Sequence, residues 1–377
     1  MGNKNNRILL GKLLPLLLVL ILGGLSMFGC VNANAEPKGW SGGTIAEDTL
    51  LIGSMEGEIV AINTTDGSRL WGVPLQSSEP ETFSFGCATP SAKVAIYGSP
   101  AVGDDLVYIG GYNGKIYAIS LSKGAMRWVY PREDNLEPFV GGVAVSQDKV
   151  FIGSSDGKVY ALDASTGDKE WEFQTGGKIW VTPAISGNTL YIGSFDKKLY
   201  ALSTDDGSIK WEFKTEGAIA ATPLVYNNTV YIGSFDRYFY AIDATSGNLR
   251  WKSMGESWFW AKAIAQNNAI YAPCLDGKIY VFDIENGAKV VDAIGVEGPV
   301  SSSPVLVDST IIIASEEGKI YSLNSSNNQI KQLTQLEEKI RSPLSSSGKE
   351  VYIHTEKDDL YAMDAQTGAM RELFINY

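Results

Sequence analysis

The chain has 377 residues, a formal net charge of −12, one histidine and three cysteines. An acidic body disfavours nucleic acid as a partner, because phosphate backbones are bound through clustered Lys and Arg. With so few His and Cys and no CxxC motif, the sequence lacks the ligands for a zinc, haem or iron–sulfur site.

The N-terminal segment 1–35 is predicted to be an export signal, because Lys4, Arg7 and Lys12 precede an apolar run from Leu13 to Leu22. Two processing routes remain open. One is cleavage after Ala35, and the other is lipoprotein processing before Cys30, which would then carry a lipid. An uncleaved N-terminal anchor is a third alternative, and each of the three places the folded part outside the cytoplasm. Removing three basic residues and no acids changes the formal charge from −12 to −15.

A repeat of about forty residues occupies the mature region 36–377. One strand of each copy is marked by an anchor residue, and successive anchors are spaced by 57, 43, 40, 40, 40, 41 and 40 residues. The anchors are Leu51, Tyr108, Phe151, Tyr191, Tyr231, Tyr271, Ile312 and Tyr352. The long first spacing indicates an insertion of 17 residues (57 − 40) within 72–99.

Each copy contains four short strand signals, for example near Thr182–Ile185, Leu190–Gly193, Leu199–Leu202 and Ile209–Phe213. Asp156-Gly157 is typical of a tight hairpin turn with positive φ. Four-stranded units repeated radially predict an all-β fold, an eight-bladed β-propeller of antiparallel blades. Strand-like sequence at 43–46 and 370–375 predicts a ring that closes without strand exchange, and we expect 37–40 to cover the seam.

The segment from Ala161 to Trp171, ALDASTGDKEW, resembles the tryptophan-docking motif AxDxxTGxxxW of PQQ-like (pyrroloquinoline-quinone-like) propellers. The resemblance implies that the recurring Asp and Thr stabilise turns and that each Trp packs against the next blade. The implied docking residues are Trp71, Trp128, Trp171, Trp211 and Trp251. Counting from the anchor, Glu372 takes the place of Trp in blade eight.

Two branches of that family imply different functions. The non-catalytic branch, which includes BamB-type proteins, implies an envelope scaffold that binds a protein partner, and size and blade count resemble it most. The quinoprotein dehydrogenases imply a PQQ- and calcium-dependent oxidoreductase, which stays an alternative although adjacent cysteines and capping insertions are missing.

We expect no cofactor and no metal outside that alternative, and no catalytic residues. The chain is expected to be a monomer that meets a membrane only through its N-terminus. Outer-membrane protein assembly is the third hypothesis.

Aromatic residues recur on the face where the chain enters each blade. They stand eleven residues before an anchor or four residues after one, and Trp258 and Phe259 lie beside them. Packing between blades is the competing interpretation, because large aromatics are mostly buried. The candidate interaction face comprises Tyr97, Tyr112, Trp180, Phe195, Phe235, Trp258 and Trp260.

The thiols Cys87 and Cys274 are expected to be unlinked, and a structural role is expected for His354.

Overall fold

The computed structural model describes residues 39–75 and 94–373. Cys30, Cys87, the segment 1–35 and most of the insertion within 72–99 lie outside the described residues, so the predictions for them stay predictions. In the part of the chain that is described, all regular structure is β-strand, in eight four-stranded antiparallel sheets. Across 39–75 and 94–373, no helix is long and apolar enough to cross a membrane.

The strands follow one another in chain order within every sheet. Blade one contains β1 Thr44–Ala46, β2 Thr49–Gly53, β3 Glu58–Asn63 and β4 Arg69–Pro74, and blade two contains β5 Ala101–Gly103, β6 Leu106–Gly110, β7 Ile116–Ser120 and β8 Met126–Tyr130. Blade three contains β9 Ala144–Ser146, β10 Lys149–Gly153, β11 Lys158–Asp163 and β12 Lys169–Gln174, and blade four contains β13 Ala184–Ser186, β14 Thr189–Gly193, β15 Lys198–Ser203 and β16 Ile209–Lys214.

The second half repeats the arrangement. Blade five contains β17 Leu224–Tyr226, β18 Thr229–Gly233, β19 Tyr238–Asp243 and β20 Leu249–Met254, and blade six contains β21 Ile264–Gln266, β22 Ala269–Cys274, β23 Lys278–Asp283 and β24 Ile294–Gly295. Blade seven contains β25 Val305–Val307, β26 Thr310–Ala314, β27 Lys319–Asn324 and β28 Gln329–Gln335, and blade eight contains β29 Ser345–Ser347, β30 Glu350–His354, β31 Leu360–Asp364 and β32 Met370–Leu373. The predicted eight-bladed propeller is confirmed.

The core lies between blades, because the two middle strands of each blade are apolar on both faces. Between blades three and four, for example, Phe151 and Trp171 pack with Ile179, Leu190 and Tyr200 in one buried cluster. The outer strands are mostly exposed, and the docking Trp is the one buried residue of β12 and of β16. A blade therefore buries its apolar faces only against its neighbours, which is why the repeat is stable as a ring.

The docking tryptophans connect successive blades through one repeated contact. Each indole Nε1 donates to a carbonyl in the next blade's outer turn, and each ring lies against the positive-φ glycine of that turn. The bonds are Trp71 to Leu121 at 2.8 Å, Trp128 to Ala164 at 2.9 Å, Trp171 to Thr204 at 3.1 Å, Trp211 to Ala244 at 3.0 Å and Trp251 to Ile284 at 3.0 Å. A Cβ on Gly247 would lie 2.7 Å from the Trp211 ring, so the contact requires glycine.

The aspartate of the same turn accepts hydrogen bonds from backbone amides of that turn. Asp163 Oδ1 accepts from the amides of Ser165 at 2.9 Å and Thr166 at 2.7 Å. Hydrogen bonds from Ser165 and from the Thr166 amide lower the pKa of Asp163. Asn328 takes the glycine position of blade seven with φ of 57°. Asn tolerates this region better than other non-glycine residues.

The seam between blades eight and one contains a substitute for the missing tryptophan, and it is Arg371 rather than Glu372. Blades one to five have a β-bulge after the residue that pairs with Trp, and blade eight lacks it, so Arg371 lies opposite Ala362. Arg371 Nη2 donates to Thr64 O at 2.7 Å, the same carbonyl position that the indoles reach elsewhere. A guanidinium therefore makes the docking contact at the seam.

A second seam contact involves the single histidine. His354, only 2 % exposed, bonds through Nδ1 to Ser41 O at 2.9 Å and through Nε2 to Asp358 Oδ1 at 2.8 Å. Since a carbonyl only accepts, Nδ1 carries the proton in that bond. The Met55 amide donates to the same Asp358 oxygen at 2.9 Å, which extends the contact into blade one. His354 thus joins the first and last blades.

Cys274 is buried with a free thiol, and burial raises its pKa to about 12.

Candidate functional site

Two sets of equivalent residues surround one mouth of the central channel. The first set stands eleven residues before each anchor, and the second stands four residues after each anchor, in the turn between the second and third strands. The first set is Trp40, Tyr97, Val140, Trp180, Ala220, Trp260, Ser301 and Arg341. The second set is Met55, Tyr112, Ser155, Phe195, Phe235, Leu275, Glu316 and Glu356. A single cavity is lined by members of both sets, which shows that they share this face.

The structure brings the predicted aromatic residues together in two groups. Tyr97 contacts Tyr112 with ring centroids 5.3 Å apart. On the other side, Trp180 contacts Phe195 at 4.7 Å, and Phe195 contacts Phe235 at 5.9 Å. Phe235 then stacks on both Trp258 at 4.5 Å and Trp260 at 5.6 Å. This second group is called the aromatic arc, and it consists of Trp180, Phe195, Phe235, Trp258 and Trp260.

Exposure separates the candidates from core aromatics. Trp258 is 46 % exposed and Tyr112 is 41 % exposed, and the other five are half-buried. Phe259 differs, because it is fully buried against Phe239 at 5.4 Å and belongs to the interblade core. The expectation that Phe259 joins the face was wrong. In this loop between strands, Trp258 and Phe259 point in opposite directions, toward solvent and toward the core.

Trp40 and Arg341 lie at the mouth, although the sequence-based prediction of the interaction face did not include them. Trp40 was expected to cover the seam, but its ring lies 4.6 Å from Tyr97 and lines the cavity. Arg341 occupies the same position in blade eight. The signal was present in both cases, since each stands eleven residues before its anchor.

The mouth cavity has a volume of about 360 Å³ and two chemically different walls. Trp40, Tyr97, Trp180 and Trp260 provide an aromatic wall, and Ser301, Glu316 and Arg341 provide a polar wall from blades seven and eight. Arg341 Nη1 lies 2.7 Å from Glu356 Oε1, and Arg341 Nη2 lies 3.2 Å from Glu316 Oε2. The guanidinium is therefore paired with two carboxylates, one from each neighbouring turn.

Below the mouth the channel is lined by residues nine positions before the anchors. These include Ser99, Gly142, Thr182, Thr222, Ser303 and Pro343. Lys262 occupies this position in blade six, and its backbone amide donates to Ser303 Oγ at 3.1 Å. The residue is exposed to solvent, yet the surrounding protein partly desolvates the ammonium group and lowers the pKa of Lys262. Burial also raises the pKa of Tyr97, with a smaller effect of Tyr112.

The residues at the mouth do not fit the calcium ion that a quinoprotein would need. Calcium takes six to eight oxygen ligands. Over the described ranges, no group of three or more His, Cys, Asp or Glu side chains is close enough to hold a metal ion. At the mouth itself, Glu316 and Glu356 are engaged by Arg341. We therefore derive no redox step at this site.

The fold and its docking contacts define a PQQ-like β-propeller repeat protein. A family model described as "Beta-alanine-activating enzyme, beta-propeller" matches residues 138–374, which is 237 of 377 residues. A second, described as "Outer membrane protein assembly factor BamB", matches residues 31–173. The chain belongs to the propeller family of the first model. Taken together, the two models identify it as a PQQ-like β-propeller repeat protein of the BamB type.

Solved structures show the same architecture. BamB from Moraxella catarrhalis superposes with a TM-score of 0.71 at 20 % identity, covering 84 % of this chain and 94 % of that chain. The computationally designed Ika8 protein also gives a TM-score of 0.71 at 15 % identity, with coverage of 90 % and 96 %. At these identities the likeness concerns the fold. A sequence search among curated proteins finds no match.

Proposed function

We propose that the protein is an exported, non-catalytic scaffold that binds a protein partner at the cell envelope through the aromatic arc. The observation that carries the proposal is the continuous series of ring contacts from Trp180 through Phe235 to Trp258, on one face and around one channel mouth. Exposed clusters of large aromatics are typical of interfaces, where Trp and Tyr contribute most of the binding energy. The BamB-type family supports an envelope location.

The internal contacts of the arc support a preformed binding surface. Phe235 and Trp258 lie nearly parallel, with an interplanar angle of 12°. Trp180 is held by a hydrogen bond from Nε1 to Ser155 Oγ at 3.1 Å. A rigid aromatic surface loses little side-chain entropy when a partner binds. We expect the partner to bring apolar side chains to this face.

The test compares an arc variant with a control variant that also loses two apolar side chains, but away from the arc. Trp258→Ala combined with Phe235→Ala removes the centre of the arc, and Ile209→Ala combined with Leu249→Ala removes two exposed apolar side chains from outer strands. Full-length protein with a photo-crosslinker at position 112 is expressed in its native cells, and crosslinked partners are identified by mass spectrometry. One defined partner should be lost in the arc variant and retained in the control. Equal crosslinking in both variants, at unchanged thermal stability, would reject the proposal.

Export and anchoring are tested separately. The first residue of the mature protein, determined from membrane and culture fractions, distinguishes cleavage after Ala35 from processing before Cys30. Metabolic labelling with a fatty acid then reports on a lipid at Cys30, with Cys30→Ser as the control. Retention of the protein in the cytoplasm would contradict the proposed location.

A second candidate is a role in outer-membrane protein assembly. It is favoured by the match of residues 31–173 to the model described as an outer membrane protein assembly factor. Deleting the gene in its source should then lower the amount of folded outer-membrane proteins, measured by their heat-modifiable migration in gels. Normal levels in the deletion strain would remove this candidate and leave the scaffold proposal in place.

A further inference from the structure

The mouth cavity is chemically different from the aromatic arc that surrounds part of it. Its aromatic wall is formed by the half-buried rings of Trp40, Trp180 and Trp260. A volume of about 360 Å³ is at the small end for ligand pockets, which span roughly 300 to 1,000 Å³. The space accommodates a compact ring or two rather than a protein segment, so a third ring of a longer ligand would extend into solvent.

The opposite wall can both donate and accept hydrogen bonds. Arg341 supplies N–H donors, Glu316 and Glu356 supply carboxylate acceptors, and Ser301 Oγ is buried with no hydrogen-bond partner in the described structure. Hydroxyl groups satisfy such a wall, because a hydroxyl donates and accepts at once. A flat ligand without donors would take water away from the two carboxylates and leave them only Arg341 as a partner, which costs free energy.

Two lysines near the mouth, Lys262 and Lys178, have no ion-pair partner in the part of the chain that the structure describes. Lys262 has no carboxylate partner within the described ranges and sits on the channel ring beside Ser303. Lys178 lies 5.7 Å from the centre of the Trp180 ring and is exposed. A negative group near Lys262 would favour its charged form and offset the desolvation that lowers its pKa.

From these three features we infer that the channel mouth binds an acidic saccharide. The apolar faces of its sugar rings would lie on Trp180 and Trp260, its hydroxyls would bond to the polar wall, and its carboxylate would approach Lys262. Tryptophan suits this task because its large ring is apolar and its shape is rigid. This site shares Trp180 and Trp260 with the aromatic arc, but it goes beyond the proposed partner surface, since neither Trp258 nor Phe235 lines the cavity.

The experiment measures binding of three probes to the full-length protein by isothermal titration calorimetry at low ionic strength. The probes are trigalacturonate, the neutral sugar maltotriose and a triglutamate peptide. The acidic sugar should bind saturably with one site per chain, and more tightly than either other probe. Equal binding of maltotriose would overturn the acidic class, and equal binding of triglutamate would overturn the sugar class. Absence of saturable binding by trigalacturonate would overturn the proposal as a whole.

Variants assign the binding to the residues. Lys262→Gln should weaken trigalacturonate about tenfold, the scale of one lost charge-assisted hydrogen bond, and remove its advantage over maltotriose. Trp260→Ala should weaken both sugars. Lys331→Gln, on the exposed outer strand of blade seven, is the matched control and should change nothing. A similar loss in Lys331→Gln would show a nonspecific charge effect and reject the site.

The two proposals fail independently. The variant Trp258→Ala should lose the protein partner and keep trigalacturonate binding, because Trp258 lies on the rim. Loss of partner crosslinking with intact sugar binding supports both assignments. Loss of sugar binding in Trp258→Ala at unchanged thermal stability would overturn the separation of the cavity from the arc.

Discussion

The docking tryptophans of blades three and four provide a matched pair for measuring what the repeated contact contributes. Trp171 and Trp211 are equally buried, each 9 % exposed, and each lies 5.7 Å from the anchor aromatic of its own blade. The difference is in the acceptor. Ala244 O receives Trp211 Nε1 at 3.0 Å and also Tyr191 Oη at 3.1 Å. Thr204 O receives Trp171 Nε1 at 3.1 Å, and the anchor Phe151 has no hydroxyl to offer it.

Replacing each indole by Phe therefore removes similar packing but leaves different carbonyls behind. After Trp211→Phe, Ala244 O keeps its tyrosine donor, whereas Trp171→Phe leaves Thr204 O in a buried turn without the donor described above. An unsatisfied buried polar group costs about 1 to 3 kcal/mol. We expect Trp171→Phe to lower the free energy of unfolding by about 1 to 2 kcal/mol more than Trp211→Phe.

The assay is urea unfolding followed by circular dichroism, with comparison restricted to variants of equal m-value. A second step removes the spare donor: Tyr191→Phe combined with Trp211→Phe should cost more than the sum of the single changes, since the last donor to Ala244 O is then lost. If Trp211→Phe is as destabilising as Trp171→Phe, or if the double variant is additive, the hydrogen-bond reasoning is refuted.

Three further predictions concern the seam and the turns. Arg371→Met should lower the melting temperature clearly, because it removes the bond to blade one, whereas Arg132→Met should have little effect since that ion pair with Asp168 is exposed. Gly247→Ala should destabilise more than Gly187→Ala in urea titrations, because both glycines have positive φ but only the first has a ring within 4 Å of the added Cβ. Hydrogen bonds from Arg250 and from the Ser246 amide lower the pKa of Asp243 to about 2 in the folded protein. The ionised Asp243 therefore stabilises the fold above the unfolded-state pKa of about 4, and this stabilisation is lost as the pH falls toward 2. The stability difference between wild type and Asp243→Asn, measured by urea unfolding, should therefore shrink across that range.

Much of the fold could be predicted from local signals. The predicted strand Leu190–Gly193 corresponds to Thr189–Gly193, and the predicted Ile209–Phe213 corresponds to Ile209–Lys214. These agree because strand alternation and positive-φ turns depend on neighbouring residues. Strand ends differ by a residue or two, since the last ladder bonds depend on the partner strand.

The candidate site was only partly predictable. The seven aromatic positions do lie on one face, because equivalent positions of a ring share a face. Their ring contacts, and the polar wall of Arg341, Glu316 and Glu356, depend on loops from different blades. Phe259 was misplaced because the loop before a strand has no alternation to say which side chain enters the core.

The amino-acid sequence alone determined the number of blades, the order of strands and the turns that need glycine, because each is a short-range property repeated along the chain. Only the tertiary structure decided which side chains meet across the seam and at the channel mouth. Arg371 meets Thr64 across 307 residues, and the mouth combines side chains from blade one through blade eight. Such contacts form only when distant copies pack into a closed ring, so no local pattern encodes them.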